Sequence, residues 1–267
     1  MLAGCGSIIS AVDGTKVKKN MRFLLQGFNQ LLWPAACNVC RESISEEQGG
    51  LCEGCWGELA GCTGDDYCRR CGREASRYGI VAGACPDCQG KEIHFDGIAR
   101  VGVYAEALQK MVLAFKNGRT ELDSTLGFLA NSALQGGGFY EEVDVFVPVP
   151  LHWSRRLFRG YNQSLVIAKR LSHPSAKIHT DLVRIRRTKQ QPTMATPAAR
   201  ARNVAGAFAV RRGHGLAGRN ICLVDDIKTT GATLNECAKT LKETGAAKVY
   251  ALVLAVAGQN IKWTHVL

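Results

Sequence analysis

Residues 221–233 read Ile-Cys-Leu-Val-Asp-Asp-Ile-Lys-Thr-Thr-Gly-Ala-Thr. Four apolar residues predict a buried strand over Ile221–Val224 that runs straight into Asp225 and Asp226. A small, hydroxyl-rich loop follows, then a helix predicted over Thr233–Thr244 and ended by Gly245. This order builds a cradle for a sugar phosphate. Successive backbone N–H groups at a helix N-terminus bind a phosphate. Thr229, Thr230 and Thr233 add hydroxyl donors, and Gly231 lets the backbone come close. Asp225 and Asp226 stand at the carboxyl end of a strand, where open α/β sheets bind ligands, and can accept hydrogen bonds from vicinal ribose hydroxyls. A plain strand–turn–helix with a Thr-rich cap would leave paired acids in front of an anion site without purpose.

Working outward, the chain from about residue 97 alternates strand and helix patterns, which implies βα units and a mostly parallel sheet. Strands are predicted at Ile98–Tyr104, Val143–Val149 and Lys248–Val256. Helices are predicted at Leu108–Phe115, Leu122–Leu134 and Asn162–Leu171. Residues 185–205 hold many Arg, Gln, Thr and Pro with little periodicity and read as one long mobile loop. The strand ending Val147-Pro148-Val149-Pro150 leads into Arg155, Arg156 and Arg159, bidentate donors suited to a diphosphate. A solvated basic helix start is the blander reading of those arginines. His152 reads as structural rather than as a catalytic base.

The amino-terminal third differs. Four Cys-x-x-Cys pairs form two modules, Cys37/Cys40 with Cys52/Cys55 and Cys68/Cys71 with Cys85/Cys88. A two-residue gap lets both thiolates of a knuckle reach one ion, and a second knuckle completes a tetrahedron, so structural Zn²⁺ is expected at both. An iron–sulfur cluster also accepts four thiolates, and knuckle pairing is open between sequential and crossed. Gly54 and Gly72 sit where knuckle turns need room. Cys62 reads as a spare, and Cys222 and Cys237 read as small core residues. Residues 21–33 have apolar positions at helical spacing and predict an amphipathic helix over the metal domain, while residues 1–20 read as a disordered extension, with Met21 a candidate start. Leu2-Ala3-Gly4-Cys5 lacks the charged and apolar stretches that a lipoprotein signal needs.

Composition bounds the function. Hydrophobic residues make up 46 % of 267, enough for a sizeable core. Lys and Arg total 34 against 23 Asp and Glu, a formal charge of +11 that points to anionic partners, phosphorylated small molecules or nucleic acid. No apolar run approaches the roughly 20 residues that span a bilayer. The expected compartment is the cytoplasm.

The segment 221–233 resembles the binding motif for 5-phosphoribosyl-1-diphosphate (PRPP) of type I phosphoribosyltransferases, an apolar strand, two acids and T-T-G-x-T. That resemblance implies Mg²⁺, ribose contacts from Asp225 and Asp226, and 5′-phosphate contacts from Lys228, Thr229, Thr230, Gly231, Ala232 and Thr233. Lys228 fills a position usually held by a smaller residue. The order of Val147–His152, Arg159-Gly160-Tyr161-Asn162-Gln163, Arg187–Gln191 and Arg200–Phe208, joined to the cysteine modules, is similar to the ComF family of competence-associated proteins from about residue 21 to 257. It implies a double zinc ribbon over 21–96, a type I phosphoribosyltransferase domain of α/β class over 97–260, and work in DNA uptake, with single-stranded DNA and competence-machinery proteins as partners. If the domain is catalytic, the expected chemistry is displacement of diphosphate from ribose C1, with Asp225 and Asp226 positioning the ring. Residues 187–203 then fold over the site, with Arg187, Gln191 and Arg202 as candidates there. A non-catalytic PRPP sensor or DNA-binding adaptor, and a nucleobase-salvage transferase, are the alternatives. The zinc module argues against the last, because a minimal salvage enzyme does not need it.

Overall fold

A computed structural model describes residues 35–45, 50–152, 160–188, 196–211 and 215–258. The helix expected over 21–33, the extension over 1–20, Gln191 and the three arginines 155, 156 and 159 lie outside them. The chain divides into two compact units, residues 1–52 and 53–267.

In the first unit, Ala36 bridges Ser43 and the Cys37 N–H donates to Glu42 O at 2.7 Å, closing a knuckle turn around Cys37–Cys40. Arg41 takes the left-handed conformation there, φ 70°.

The second unit opens with α1 (Glu53–Cys62) and repeats the knuckle. Tyr67 bridges Glu74, the Cys68 N–H donates to Arg73 O at 2.9 Å, and Gly72 sits at φ 77°. Gly72 and Arg41 are equivalent, each following the second cysteine of its knuckle. Gly54 is not their counterpart: it lies within α1 with open space around it.

The main sheet has five parallel strands, β1 (Gly97–Val103), β2 (Val145–Pro148), β3 (Lys177–Ile178), β6 (Asn220–Lys228) and β7 (Lys248–Val256), in the order β1-β7-β6-β2-β3. Two further strands, β4 (Leu182–Arg184) and β5 (Phe208–Val210), pair antiparallel as a separate small sheet. Alternate residues of the central strands point to opposite faces. Val145, Val147, Ile221, Leu223, Val249 and Ala251 pack with Leu234, Cys237 and Leu241 of α6 (Ala232–Glu243) in one core. The other face is covered by α3 (Asp123–Gln135), which packs on β1 and β7, and α4 (Gln163–Arg170), which packs on β6 and β2. Sheet strands buried on both faces read as near-continuous apolar runs, which is why Ile221–Val224 and Val249–Val256 show no alternation.

The segment expected as one long loop over 185–205 is only partly irregular. Residues 197–204 form α5 (Pro197–Val204), started by Thr196, whose hydroxyl accepts from the Ala199 N–H at 3.1 Å, with Pro197 in the first turn. A short helix whose apolar residues are mostly alanine gives little periodic signal. Its capping residue followed by proline is the signal that finds it. The outer edge of β1 is bridged by Thr63 just after α1, where the Cys62 carbonyl lies against Gly102 so closely that a Cβ at 102 would collide with it. Among the described residues no helix is long and apolar enough to cross a membrane.

Candidate functional site

Strand order alone locates the crevice. From β6 the chain crosses by α6 to β7 on one side, and from β2 it crosses by α4 to β3 on the other. The carboxyl ends of β2 and β6 therefore face a gap that neither crossover covers, the place where open α/β sheets bind ligands. The strand at 221 runs farther than its apolar residues indicate. It continues to Lys228, with Asp225 beside Val253, Ile227 beside Ala255 and Lys228 beside Val256. Both acids thus lie on a central strand rather than beyond it, because β7 supplies ladder partners along its whole length.

A cleft of about 220 Å³, open to solvent, is lined by Asp225, Ile227, Lys228 and the whole run Thr229–Leu234. Its floor is the turn into α6. Gly231 stands at φ 85°, in the left-handed region that favours glycine. Lys228 Cε lies 3.0 Å from where a Cβ on Gly231 would sit, so a side chain there would crowd Lys228 as well as strain the backbone. Thr230 Oγ1 accepts from the Ala232 N–H at 3.3 Å and caps the helix start. Lys228 itself is buried, and burial lowers its ammonium to about 8. It stands against the turn, with its Nζ 3.6 Å from the same Gly231 position.

The acids are held by residues from α2 and the start of α4. Ser164, in the first turn of α4, donates Oγ–H to Asp225 Oδ1 at 3.1 Å. Asn162 caps that helix, accepting from the Ser164 N–H at 3.2 Å, and its Nδ2 donates to Val149 O at 3.1 Å. It therefore ties the end of β2 to the site. Lys116, the last residue of α2 (Glu106–Lys116), pairs with Asp226 Oδ2 at 3.1 Å. Enclosure, and then the neighbouring Asp226 charge, push the Asp225 carboxyl up to about 7. Ser164 follows Asn162-Gln163, and a capping residue aimed at a strand end was the clue that could have found it. Lys116 had none, being one basic residue at the end of an amphipathic helix.

Arg187 and Arg202 are described and exposed, and neither lines the cleft. Above α6, Arg184 of β4 lies over the Phe208 ring at 5.2 Å and donates to Thr188 Oγ1. His152 is buried. Cys222 and Cys237 are buried in β6 and α6, and burial pushes both thiols up, as befits core residues.

In the second cysteine set, four buried sulfurs lie within 4.8 Å of one another. Sγ separations are 3.7 Å for Cys68–Cys88, 3.5 Å for Cys71–Cys85 and 3.7 Å for Cys85–Cys88. Zinc–sulfur bonds of about 2.3 Å in a tetrahedron place sulfurs about 3.8 Å apart, so this set fits one ion. An iron–sulfur core would hold the four sulfurs farther apart. Burial pushes the Cys71 and Cys88 thiols up, and a bound cation would hold them as thiolates. In the first unit Cys37, Cys40 and Cys52 likewise gather, with Cys40 and Cys52 sulfurs 3.5 Å apart. Cys55, the fourth of that set in sequence, is the third residue of α1. The buried Cys62 is in neither set and donates to Ala105 O at 3.3 Å.

Two family models match the chain. The double zinc ribbon domain family matches residues 28–89, and the phosphoribosyl transferase domain family matches residues 159–265. The class is therefore a double zinc ribbon followed by a phosphoribosyltransferase fold. Competence protein F of Haemophilus influenzae is 30 % identical over 227 residues, 82 % of this chain and 96 % of that protein. DNA utilization protein YhgH of Escherichia coli K12 is 31 % identical over 224 residues, 81 % and 94 % of the two chains. Competence protein ComFC of Bacillus subtilis is 29 % identical over 204 residues, 74 % and 80 %. The chain belongs to the ComF family. A hypoxanthine phosphoribosyltransferase from Staphylococcus aureus, 13 % identical, overlaps with a TM-score of 0.33 over 58 % of this chain and 76 % of its own. The fold assignment rests on strand order and the family match, not on that overlap.

Proposed function

We propose that the protein binds Mg²⁺-PRPP at the β6–α6 turn and acts in the handling of DNA during its uptake. One observation carries the reading: Asp225 of the central strand and a glycine turn at a helix N-terminus line a single cleft at the crevice of a parallel sheet, with Asp226 next along the same strand. Asp225 and Asp226 accept from the ribose hydroxyls, and Thr229–Thr233 with the first N–H groups of α6 hold the 5′-phosphate. Lys228 braces that turn from beneath and adds a positive charge to it. Arg155, Arg156 and Arg159 counter the diphosphate, and Arg187 and Arg202 reach it from the small-sheet side when ligand is present. Bound Mg²⁺ supplies further neutralisation of the leaving diphosphate. If the protein turns over, the C1–O bond to diphosphate breaks while the acids hold the ring in place.

The two zinc ribbons are structural, with four sulfurs and no open position at each. The +11 charge and the names of the curated relatives support single-stranded DNA and competence-machinery proteins as partners, with the cytoplasm as the place of action. Calorimetric titration of Mg²⁺-PRPP tests the ligand. Wild type should bind, and Asp225→Asn with Asp226→Asn should lose on the order of 1.5–3 kcal/mol of affinity per acid, since an amide accepts more weakly than a carboxylate. Equal binding by the double variant would show that the acids do not hold the ribose. Release of diphosphate on incubation, with and without DNA, separates a transferase from a sensor.

A further inference from the structure

The acidic pair is answered from within the protein by a lysine of another element. Asp225 and Asp226 are adjacent on one strand, and each carboxylate accepts the N–H of the next residue, Asp226 N–H to Asp225 at 2.9 Å and Ile227 N–H to Asp226 at 2.7 Å. These bonds hold each carboxylate against its own stretch of β6. Lys116 answers Asp226 from another element. Its side chain is 20 % exposed and that of Asp226 14 %, so their 3.1 Å pair is shielded from solvent. Its position is also fixed. Tyr161, just ahead of α4, donates its hydroxyl to Phe115 O, and the two rings lie 5.8 Å apart, so the last turn of α2 is anchored beside the crevice. A lysine at a helix C-terminus is further favoured by the dipole there.

We propose that Lys116 is a positioning residue of the ribose site: its ammonium balances the Asp226 carboxylate and holds it in the geometry that receives the ribose hydroxyls. The inference rests on the ribose reading of the two acids. Other groups that face the pair are Ser164 from α4, Tyr104 at the end of β1, Arg184 from β4 and Cys237 from α6. Of these Arg184 is the only other cation. Burial, then the Asp226 charge, push the Tyr104 hydroxyl up to about 12, so it stays neutral and cannot replace Lys116. Burial likewise keeps the Cys237 thiol neutral. Without Lys116, whose ammonium also lowers the Asp225 carboxyl, Asp225 is harder to ionise, and ligand binding that needs its carboxylate is displaced to higher pH.

The test is affinity for ribose 5-phosphate measured by calorimetry across about pH 5.5–9 in wild type, Lys116→Met and Lys116→Arg, with zinc content and melting temperature followed in each. We expect the rising limb of the Lys116→Met profile to lie about one pH unit higher, with affinity near neutral pH about tenfold weaker, and Lys116→Arg to return most of both. A purely structural role would lower the melting temperature without moving the profile. If Lys116→Met does not fold, Lys116→Gln is read in the same way. Coincident profiles for wild type and the neutral variant would overturn the role of Lys116 while leaving the ribose site in place. A wild type that binds no ribose 5-phosphate would overturn both.

Discussion

Asp225 shows how one residue couples ligand binding to stability. Its carboxyl is raised to about 7 from an ordinary 3.8 by enclosure first and by Asp226 second. A carboxyl whose folded value lies above its unfolded one holds its proton more tightly in the native state, so its cost to stability is absent at low pH and grows as pH rises through that interval. Asp225→Asn keeps an oxygen for Ser164 and the Asp226 N–H but removes the charge. It should therefore stabilise the ligand-free protein near pH 8 by about 1–2 kcal/mol, with the gap to wild type narrowing below about pH 7 and closing only towards about pH 4. Thermal melts of the two proteins at both ends of this range check the sign. A variant that is less stable than wild type at pH 8 would show that the empty site relieves the repulsion by other means. The two acids were legible in the sequence because they end an apolar run. Lys116 and Ser164 were not, because they reach the site from elements 50 or more residues away, and only the strand order brings them there.

At the scale of elements, the knuckles make a paired experiment. The position after the second cysteine is left-handed in both modules, held by Arg41 in one and by Gly72 in the other. A non-glycine residue pays roughly 1 kcal/mol or more for that conformation. Gly72 has a further constraint, because a Cβ there would meet Val256 Cγ2 at 3.2 Å and Ile98 Cδ1 at 3.3 Å. Arg41→Gly should hold zinc at least as well as wild type, while Gly72→Ala should weaken retention at the second set, with wild type carrying two Zn²⁺ per chain. Chelator competition followed by elemental analysis reads both. Spacing alone made the ligands legible, since the chemistry of a tetrathiolate site is local. The glycine that mattered was half legible: Gly72 could be picked out but Gly54 could not be told from it, because nothing in the spacing says that α1 starts at Glu53. The flanking helices and strands β1, β2 and β7 were read nearly to their ends, since burial on two faces leaves long apolar runs, while β6 runs on past its apolar residues and the two-residue β3 gave no pattern. The small sheet and α5 were missed because short polar elements are held by partners distant in sequence, such as the Arg184–Phe208 contact, rather than by their own pattern.

Across the whole second unit, the crevice is defined by connectivity, and the acids, the turn and the end of α2 meet there only because β6 is the middle strand. The other end of the strand order matters as well. β1 is an edge, and Thr63 bridges Gly102 on its outer side. A row of unpaired backbone groups on an apolar edge is a template for another chain, and natural sheets cover or blunt such edges. The segment after α1 does this for β1, and Gly102 keeps the approach close. The cover thus acts as a guard against self-association. A chain shortened to begin at residue 97 keeps every strand of the sheet but loses this guard. It should form concentration-dependent oligomers by light scattering, whereas one beginning at residue 53 should stay monodisperse under the same conditions. In a cell, the same exposure would arise whenever residues 53–63 failed to dock during synthesis, so the order in which the chain emerges, with the guard made before the edge it protects, works against misassembly.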